Sequence, residues 1–309
     1  MQDFHQTKRF FDQKLKSNLQ KLEKNHESLK KLNIIYIIGI LIFIVSIFME
    51  KILLSFISLA PVVILMLINR EKYNKANNEY KQMLVAPLMK SIDSRLQYKP
   101  NGKINEKEFQ NSSLFKHSQH YESEHLISCP LSNKTVTMAY INAYTSTQGI
   151  DEDDVDSEQI IFSGLFTTIK SSRKIKGKVC VFPDFAQKHL GFVGEGVQNS
   201  KYKRLNKVRL DDPRFEKEFL VYASDQITAN YILTHTVMEA LTSVAQKERK
   251  NLSISFVDDK IYIAISMSNG FFQHNITEKY SDFSTISESL KSFYLVMNIL
   301  QVIEKHHEL

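Results

Sequence analysis

Tryptophan is absent from this sequence of 309 residues, and cysteine, glycine and proline are all scarce. With 9 Gly and 6 Pro, the chain has neither the glycine period of collagen nor a proline-rich linker. Folds that depend on glycine-rich phosphate loops are disfavoured for the same reason. Hydrophobic residues make up 43% of the chain and charged residues 24%, which excludes disorder as a description of the whole.

The two cysteines, Cys129 and Cys180, lie far apart, and neither belongs to a CxxC or Cys/His motif. This spacing indicates neither a zinc site nor a disulfide framework. A single disulfide is compatible with the sequence, but two structural thiols in a reducing compartment is the simpler interpretation.

The net charge of +6 is unevenly distributed along the chain. Residues 1–100 contain 16 Lys and Arg against 8 Asp and Glu, whereas residues 101–309 contain 24 against 26. Because all of the excess positive charge lies in the first third, the sequence does not predict a nucleic-acid-binding protein.

Two uncharged apolar runs, Ile34–Met49 and Ile52–Ile68, are separated by Glu50 and Lys51. Each approaches the roughly 20 residues that span a bilayer core, so the sequence predicts a two-helix transmembrane hairpin over residues 34–68. A cleaved signal peptide would have a shorter basic segment before the run, and a buried soluble hairpin would have polar faces. Lys and Arg flank both sides, which predicts that both termini are cytoplasmic.

Residues 1–33 are predicted to form a basic cytoplasmic helix, and residues 69–97 a helical stalk that continues the second run. Apolar residues at near-heptad spacing support a paired stalk. They are Leu15, Leu19, Leu22 and Leu29 before the hairpin, and Tyr73, Tyr80, Leu84 and Leu88 after it. A flexible, solvated pair of basic helices is the alternative.

Residues 98–309 are predicted to form a cytoplasmic α+β domain in which helices are segregated from antiparallel strands. The pattern indicates strands at 125–129, 135–144, 159–169, 178–182, 207–210, 219–222, 253–257 and 260–266. Asp258 and Asp259 indicate a hairpin turn between the last two strands. Helix starts are expected at Asp212-Pro213, at Ser224, at Thr236 with Glu239 and at Thr285 with Glu288.

Several clusters resemble metal or phosphate sites without satisfying their spacing. The densest comprises His117, His120, Glu122, Glu124 and His125. It matches neither HExxH nor HxxEH and is interpreted as a solvated loop. The acidic run from Asp151 to Glu158 lacks the glycine of a calcium loop, and GFVGEGV (191–197) lacks the lysine of a phosphate loop. No cofactor and no metal are therefore predicted.

Two basic stretches of the domain are candidates for contact with anionic lipid headgroups. The candidate residues are Lys170, Arg173, Lys174, Lys176, Lys178, Lys201, Lys203 and Arg204, with Lys207 and Arg209 continuing the second stretch. Ordinary solvated turns are the alternative interpretation.

Four segments of the domain are similar to a bacterial family of two-pass membrane proteins that contains a domain of unknown function. They are SGLF (163–166), IKGKVCVFPD (175–184), the long stretch Val208–Leu241, and ISFVDDKIYIAI (254–265). The resemblance extends over nearly the full length and implies a location in the bacterial inner membrane. Because members are often encoded near LemA-type membrane proteins, it also implies an envelope protein partner. It supplies no catalytic or binding residues.

The sequence contains no assembled nucleophile, base or metal constellation. We therefore predict a non-catalytic, membrane-tethered module that binds a protein partner or the membrane surface, either as a monomer or as an oligomer. The alternative is a membrane-anchored enzyme with a cleft, for which Asp184, Asp225 and His235 are the first candidates. An oligomeric pore is disfavoured because neither apolar run has a charged interior residue.

Overall fold

The computed structural model describes residues 3–25, 27–49, 52–132, 134–147, 157–171, 174–184, 205–248, 251–273 and 279–307. The chain divides into two compact units. Residues 1–94 and 272–287 form the first, called the helical unit below. Residues 95–271 and 288–309 form the second, called the sheet unit.

The helical unit consists of helices in chain order. They are α1 (Phe4–Phe10), a π-helical turn (Phe11–Leu15), α2 (Lys16–Asn25), α3 (Glu27–Phe48), α4 (Ile52–Tyr80), a second π-helical turn (Lys81–Val85) and α5 (Ala86–Ile92). A capping box opens α1, because the Asp3 carboxylate accepts from the Gln6 amide at 2.7 Å and the Gln6 side chain accepts from the Asp3 amide at 3.1 Å.

The core of the helical unit contains most of the leucine and tyrosine positions whose spacing suggested a paired stalk. Leu15, Leu19 and Leu22 are buried, and so are Tyr80, Leu84 and Leu88. Helix α1 contacts α5, and α2 contacts the second π-helical turn, so these positions share a core. Helices α3 and α4 also contact each other, while apolar side chains such as Ile34, Leu41 and Leu67 are more than half exposed.

The predicted transmembrane hairpin is not found. Within the part of the chain that the structure describes, no helix combines the length and the hydropathy that crossing a membrane requires. On this finding the hairpin over residues 34–68 and the two-pass inner-membrane localisation are wrong. The physical reason lies in length: uncharged runs of 16 and 17 residues rise about 24–26 Å as helices, short of the roughly 30 Å hydrocarbon core.

The described strands of the sheet unit form one nine-stranded antiparallel sheet in the order β1-β2-β3-β4-β9-β8-β5-β7-β6. The strands are β1 (Gln97–Lys99), β2 (His120–Leu131), β3 (Lys134–Thr147), β4 (Ser157–Lys170), β5 (Lys178–Pro183), β6 (Asn206–Val208), β7 (Phe219–Ala223), β8 (Leu252–Val257) and β9 (Lys260–Ser266). An antiparallel sheet was expected from the alternating pattern, and the eight predicted strands overlap β2 to β9.

The β8–β9 hairpin turns at Asp258 and Asp259, as the sequence predicts, and Asp258 adopts a positive φ of 54°. Asp tolerates this left-handed conformation better than most residues. Strand β4 pairs with β9 from Gly164 to Lys170. Gly164 is needed at that point because an added Cβ would lie 2.1 Å from the Ile265 carbonyl oxygen.

The helices of the sheet unit are α6 (Glu106–Asn111), α7 (Pro213–Glu218), α8 (Gln226–Ile232), α9 (His235–Glu248) and α10, which runs from Ser284 to His307 and begins in the helical unit. Asp212 caps α7 with Pro213 at the first position, as predicted. The predicted cap of the next helix is wrong by one residue. Asp225, not Ser224, caps α8, and Ser224 instead accepts from the Lys178 amide at 2.9 Å.

Candidate ligand-binding cleft

A cleft of about 740 Å³ opens in the sheet unit between the end of α6 and the β8–β9 turn. Ten residues line it: Gln110, Asn111, Phe115, His117, Lys178, Val257, Asp258, Asp259, Lys260 and Tyr262. The volume falls within the range of small-molecule pockets in proteins, and the lining combines aromatic surface with hydrogen-bonding and charged groups.

Phe115, which lines the cleft, belongs to an aromatic cluster between α6 and the sheet. Phe109 stacks on Phe115 with ring centroids 4.8 Å apart and meets Phe166 edge-on at 5.3 Å. Phe115 also packs against Phe162 at 4.6 Å. Offset and edge-on pairs of this kind add to the stabilisation that apolar burial provides. The cluster therefore fixes Phe115 at the edge of the cleft.

The loop after α6 is fixed to β5 and β8 by hydrogen bonds. The Ser255 hydroxyl donates to the Ser112 carbonyl, and the Cys180 thiol lies 3.6 Å from the Ser113 carbonyl. Ser113 has a φ of 62°, which reverses the chain toward Phe115. The Lys178 ammonium lies 3.5 Å from the Ser113 hydroxyl. The loop after α6 and strands β5 and β8, which are distant in sequence, are thereby held together at the cleft.

Lys260, which lines the cleft, forms an ion pair with Glu108 of α6. The Lys260 Nζ lies 2.6 Å from both carboxylate oxygens of Glu108, and the Thr168 hydroxyl donates to the same carboxylate at 3.2 Å. The side chains are 35% and 20% exposed, so the pair is partly shielded from water. Burial, and next the Glu108 charge, raise the pKa of Tyr262. Tyr262 thus keeps its proton.

The β8–β9 turn is held against the segment that follows β4. The Ser171 amide donates to the Asp259 carbonyl at 2.6 Å, and the Ile175 amide donates to the Asp258 carbonyl at 2.6 Å. Lys170 and Asp259 form an exposed ion pair with a separation of 3.4 Å. Two hydrogen bonds from this segment thus fix the backbone of the turn, whose residues Asp258 and Asp259 line the cleft.

The most nucleophilic side-chain types near the cleft are held in protonated form. Burial raises the pKa of the Cys180 thiol to about 12, and burial raises the pKa of Tyr121 to about 12. At neutral pH these groups are a thiol and a phenol, neither of which is an effective nucleophile or base. Neither residue lines the cleft, whose own amide and charged side chains can form hydrogen bonds and charge contacts.

The structure separates the predicted basic stretches. Lys178 lines the cleft, Lys170 pairs with Asp259 at its edge, and Lys174 and Lys176 are exposed in the segment between them. Arg173, Lys201, Lys203 and Arg204 lie outside the described residues. Lipid contact by these eight residues stays a prediction.

Four of the five residues of the histidine cluster lie in a strand and not in the predicted loop, while His117 precedes that strand and lines the cleft. His120 and His125 both belong to β2, where His120 stacks on Tyr144 at 4.7 Å. His125 is fully buried, and its Nδ1 lies 2.6 Å from the Tyr98 hydroxyl. Among the described residues, no group of three or more His, Cys, Asp or Glu is arranged to hold a metal ion. The loop prediction failed because strand pairing with β3 extends through His120.

The other motifs lie elsewhere or outside the described chain. Residues 151–156 of the acidic run and the glycine-rich stretch 191–197 are outside the described residues, and Glu158 is exposed in β4. Asp225 caps α8, and the Asp225 hydrogen bonds to Thr228 lower the Asp225 pKa. His235 lies 3.7 Å from the capping carboxylate of Asp212. Neither these residues nor Asp184 line the cleft.

Sequence reasoning missed the cleft because its two walls come from segments roughly 140 residues apart. Residues 110–117 form the end of α6 and the loop after it, whereas residues 257–262 belong to the β8–β9 hairpin. The hairpin turn was visible as Asp258-Asp259 followed by Lys260. No periodicity or motif in the sequence links that turn to Asn111 or His117.

Part of the chain is similar to a known protein family. A domain described as "Protein of unknown function (DUF3137)" covers residues 160–305. This range includes Lys178 and the β8–β9 hairpin and excludes the 110–117 wall. No curated protein matches the chain.

Among solved structures, this chain is similar to one described as the crystal structure of the mycobacterial trehalose monomycolate transport factor A, TtfA. The TM-score is 0.32 and the identity 8%, over 67% of this chain and 88% of that chain. The two chains share too little for a property of one to be transferred to the other.

Proposed function

We propose that the sheet unit is a non-catalytic binding module that holds a polar group of a protein partner in the cleft at the β8–β9 turn. The observation that supports this most directly is the ion pairing and the protonation of the reactive side chains. Lys260 is paired with Glu108, and Tyr262 retains its proton. Such groups recognise a partner by hydrogen bonds and charge without transferring protons or forming covalent bonds.

The chemistry of the lining favours a partner group that both donates and accepts hydrogen bonds. Gln110 and Asn111 carry amides, which offer both kinds of contact, and Lys178 and Asp258 add one charge of each sign. The aromatic rings of Phe115 and Tyr262 supply apolar surface beside them. A peptide segment with mixed polar side chains satisfies this combination better than a wholly apolar ligand does.

A site-specific cross-link tests the proposal in the full-length chain. A photoreactive amino acid at Asn111, which is exposed and lines the cleft, should form one adduct of defined mass in cells of the native host. The same group at exposed Thr135, at the start of β3, is the matched control and should form none. Lys178→Gln should reduce the Asn111 adduct severalfold.

Two results would contradict a binding role. Equal adducts at Asn111 and Thr135 would show that the cleft has no selectivity. Turnover of a small molecule that Lys260→Met abolishes, in a chain that remains folded, would assign the cleft to an enzyme.

A further inference from the structure

Helix α8 exposes two large apolar side chains next to each other, although the sheet unit buries most of its other large apolar side chains. Ile227 is 82% exposed and Tyr231 is 61% exposed, and a separation of four residues places them on one face of the helix. Ala229 and Ile232 on the opposite face are buried. Among the described residues of the sheet unit, the remaining exposed large apolar residue is Ile160, which stands alone on β4. An adjacent apolar pair marks a contact surface.

Polar contacts attach α8 to two segments that carry basic residues. The Thr228 hydroxyl oxygen lies 3.2 Å from the Lys176 carbonyl oxygen, which places the helix beside the segment with Lys174 and Lys176. The Gln226 side-chain amide donates to the Arg209 carbonyl at 2.7 Å, which binds it to the segment after β6.

The segments that contact α8 carry exposed basic side chains. They are Lys174 and Lys176 on one segment and Lys207 and Arg209 on the other, which also has the exposed acidic residue Asp211. Asp225, the cap of α8, accepts hydrogen bonds from the Thr228 amide and hydroxyl. The helix that carries the apolar pair is thus attached to two segments with exposed basic residues.

A lipid surface matches this arrangement. An anionic bilayer presents phosphates above an apolar layer, so basic side chains contact headgroups while aliphatic and tyrosine side chains enter the interface. Each basic residue near such a surface strengthens binding about fivefold. A partner peptide would instead require a groove beside its anchor residues, and neither Ile227 nor Tyr231 lines the cleft described above.

We propose that α8 and its basic flanks form a lipid-contact surface, defined by Ile227 and Tyr231 together with Lys174, Lys176, Lys207 and Arg209. Ile227 and Tyr231 enter the interface of an anionic bilayer, and the four cations contact headgroup phosphates. This contact requires no membrane-spanning helix and is independent of the proposed function of the cleft.

The absence of tryptophan allows a local test in the full-length chain. Tyr231→Trp introduces a sole tryptophan, whose emission should shift to the blue with vesicles of equal phosphatidylglycerol and phosphatidylcholine. Brominated acyl chains in those vesicles should quench it, and vesicles of phosphatidylcholine alone should leave it unchanged. The readout is local, so attachment through another part of the chain does not produce it. Ile227→Trp is a second reporter should Tyr231→Trp unfold.

Ile160→Trp is the matched control, because Ile160 is 63% exposed on β4 and lacks the basic flanks of α8. Its emission should not change with either vesicle. In the Tyr231→Trp background, Lys176→Glu with Arg209→Glu should weaken vesicle binding at least tenfold. Unchanged emission at both α8 reporters, or an equal shift at Ile160→Trp, would overturn the proposal. A shift with polyglutamate and none with vesicles would assign the surface to an acidic protein instead.

Discussion

At the scale of single residues, the contacts of Glu108 connect α6 to the central sheet. Its carboxylate receives Lys260 from β9 and Thr168 from β4, and the Tyr262 hydroxyl also interacts with it. One side chain thus joins a helix to two strands that are far apart in sequence. Removing a charge from such a network leaves a partly buried partner unpaired, which costs more than an exposed pair contributes.

Glu108→Gln should lower the free energy of unfolding by about 1–3 kcal/mol, because Lys260 loses its counter-charge. The matched control is Lys170→Met, which removes the exposed Lys170–Asp259 pair and should cost less than about 1 kcal/mol. Urea denaturation of both variants provides the measurement. Equal effects would show that the Glu108–Lys260 pair is no more shielded from water than a surface pair.

At the scale of elements, aspartate caps determine where the short helices of the sheet unit begin. Asp212 accepts from the amides of Arg214 and Phe215, and Asp225 accepts from the amide of Thr228. These hydrogen bonds lower the pKa of both carboxyls below their usual value of 3.8. Charged caps also interact favourably with the positive end of the helix dipole.

Asp225→Asn should make stability less sensitive to acid. Because the folded-state pKa of Asp225 is lowered, the stability it contributes is complete above about pH 5 and is lost as pH falls through 3.8 toward the folded value. Asn keeps an acceptor for the cap and does not titrate. The Asp225→Asn variant should therefore lose less stability than the parent over the roughly three pH units between pH 6 and pH 3.

Urea midpoints measured across this pH range check the prediction, and Asp211→Asn, at an exposed residue outside the caps, is the control. If the stability of Asp225→Asn falls with pH as steeply as that of the parent, titration of the Asp225 cap does not contribute to the loss of stability in acid.

At the scale of the whole molecule, the sheet unit buries both thiols of the chain. Cys129 in β2 and Cys180 in β5 form no disulfide, and both are fully buried. The interpretation of both cysteines as structural thiols is confirmed, and the reducing compartment stays a prediction. Because the sheet joins β2 and β5 through the intervening strands, exposure of either thiol requires opening of the sheet.

Thiol reactivity should therefore report on opening of the sheet unit. In native buffer at pH 8, an aromatic disulfide reagent should label neither cysteine rapidly, whereas both should react within the mixing time in concentrated urea. Burial raises the pKa of Cys180 to about 12, which further slows attack by that thiol. Cys180→Ala should leave one slowly reacting thiol. Rapid native labelling would contradict the burial of these strands.

The sequence by itself determined the local structure of the sheet unit. Alternating apolar residues specify which segments become strands, since side chains of a strand point to opposite faces. Asp212 with Pro213 specifies a helix start, because the carboxylate accepts from the free amides of the first turn. The turn at Asp258 and Asp259 is equally local. The predicted spanning hairpin failed because length and hydropathy place runs of 16 and 17 residues at the limit of a membrane span.

Only the tertiary structure decided which segments become neighbours. The pairing of β9 with β4, and of β5 with β8, brings Lys260 and Lys178 to one cleft beside Asn111. The pairing of strands that are far apart in sequence depends on the joint burial of many side chains. No single residue of the sequence therefore indicates it. The exposure of Ile227 and Tyr231 is decided in the same way, because the face of α8 that packs on the sheet is fixed by Ala229 and Ile232.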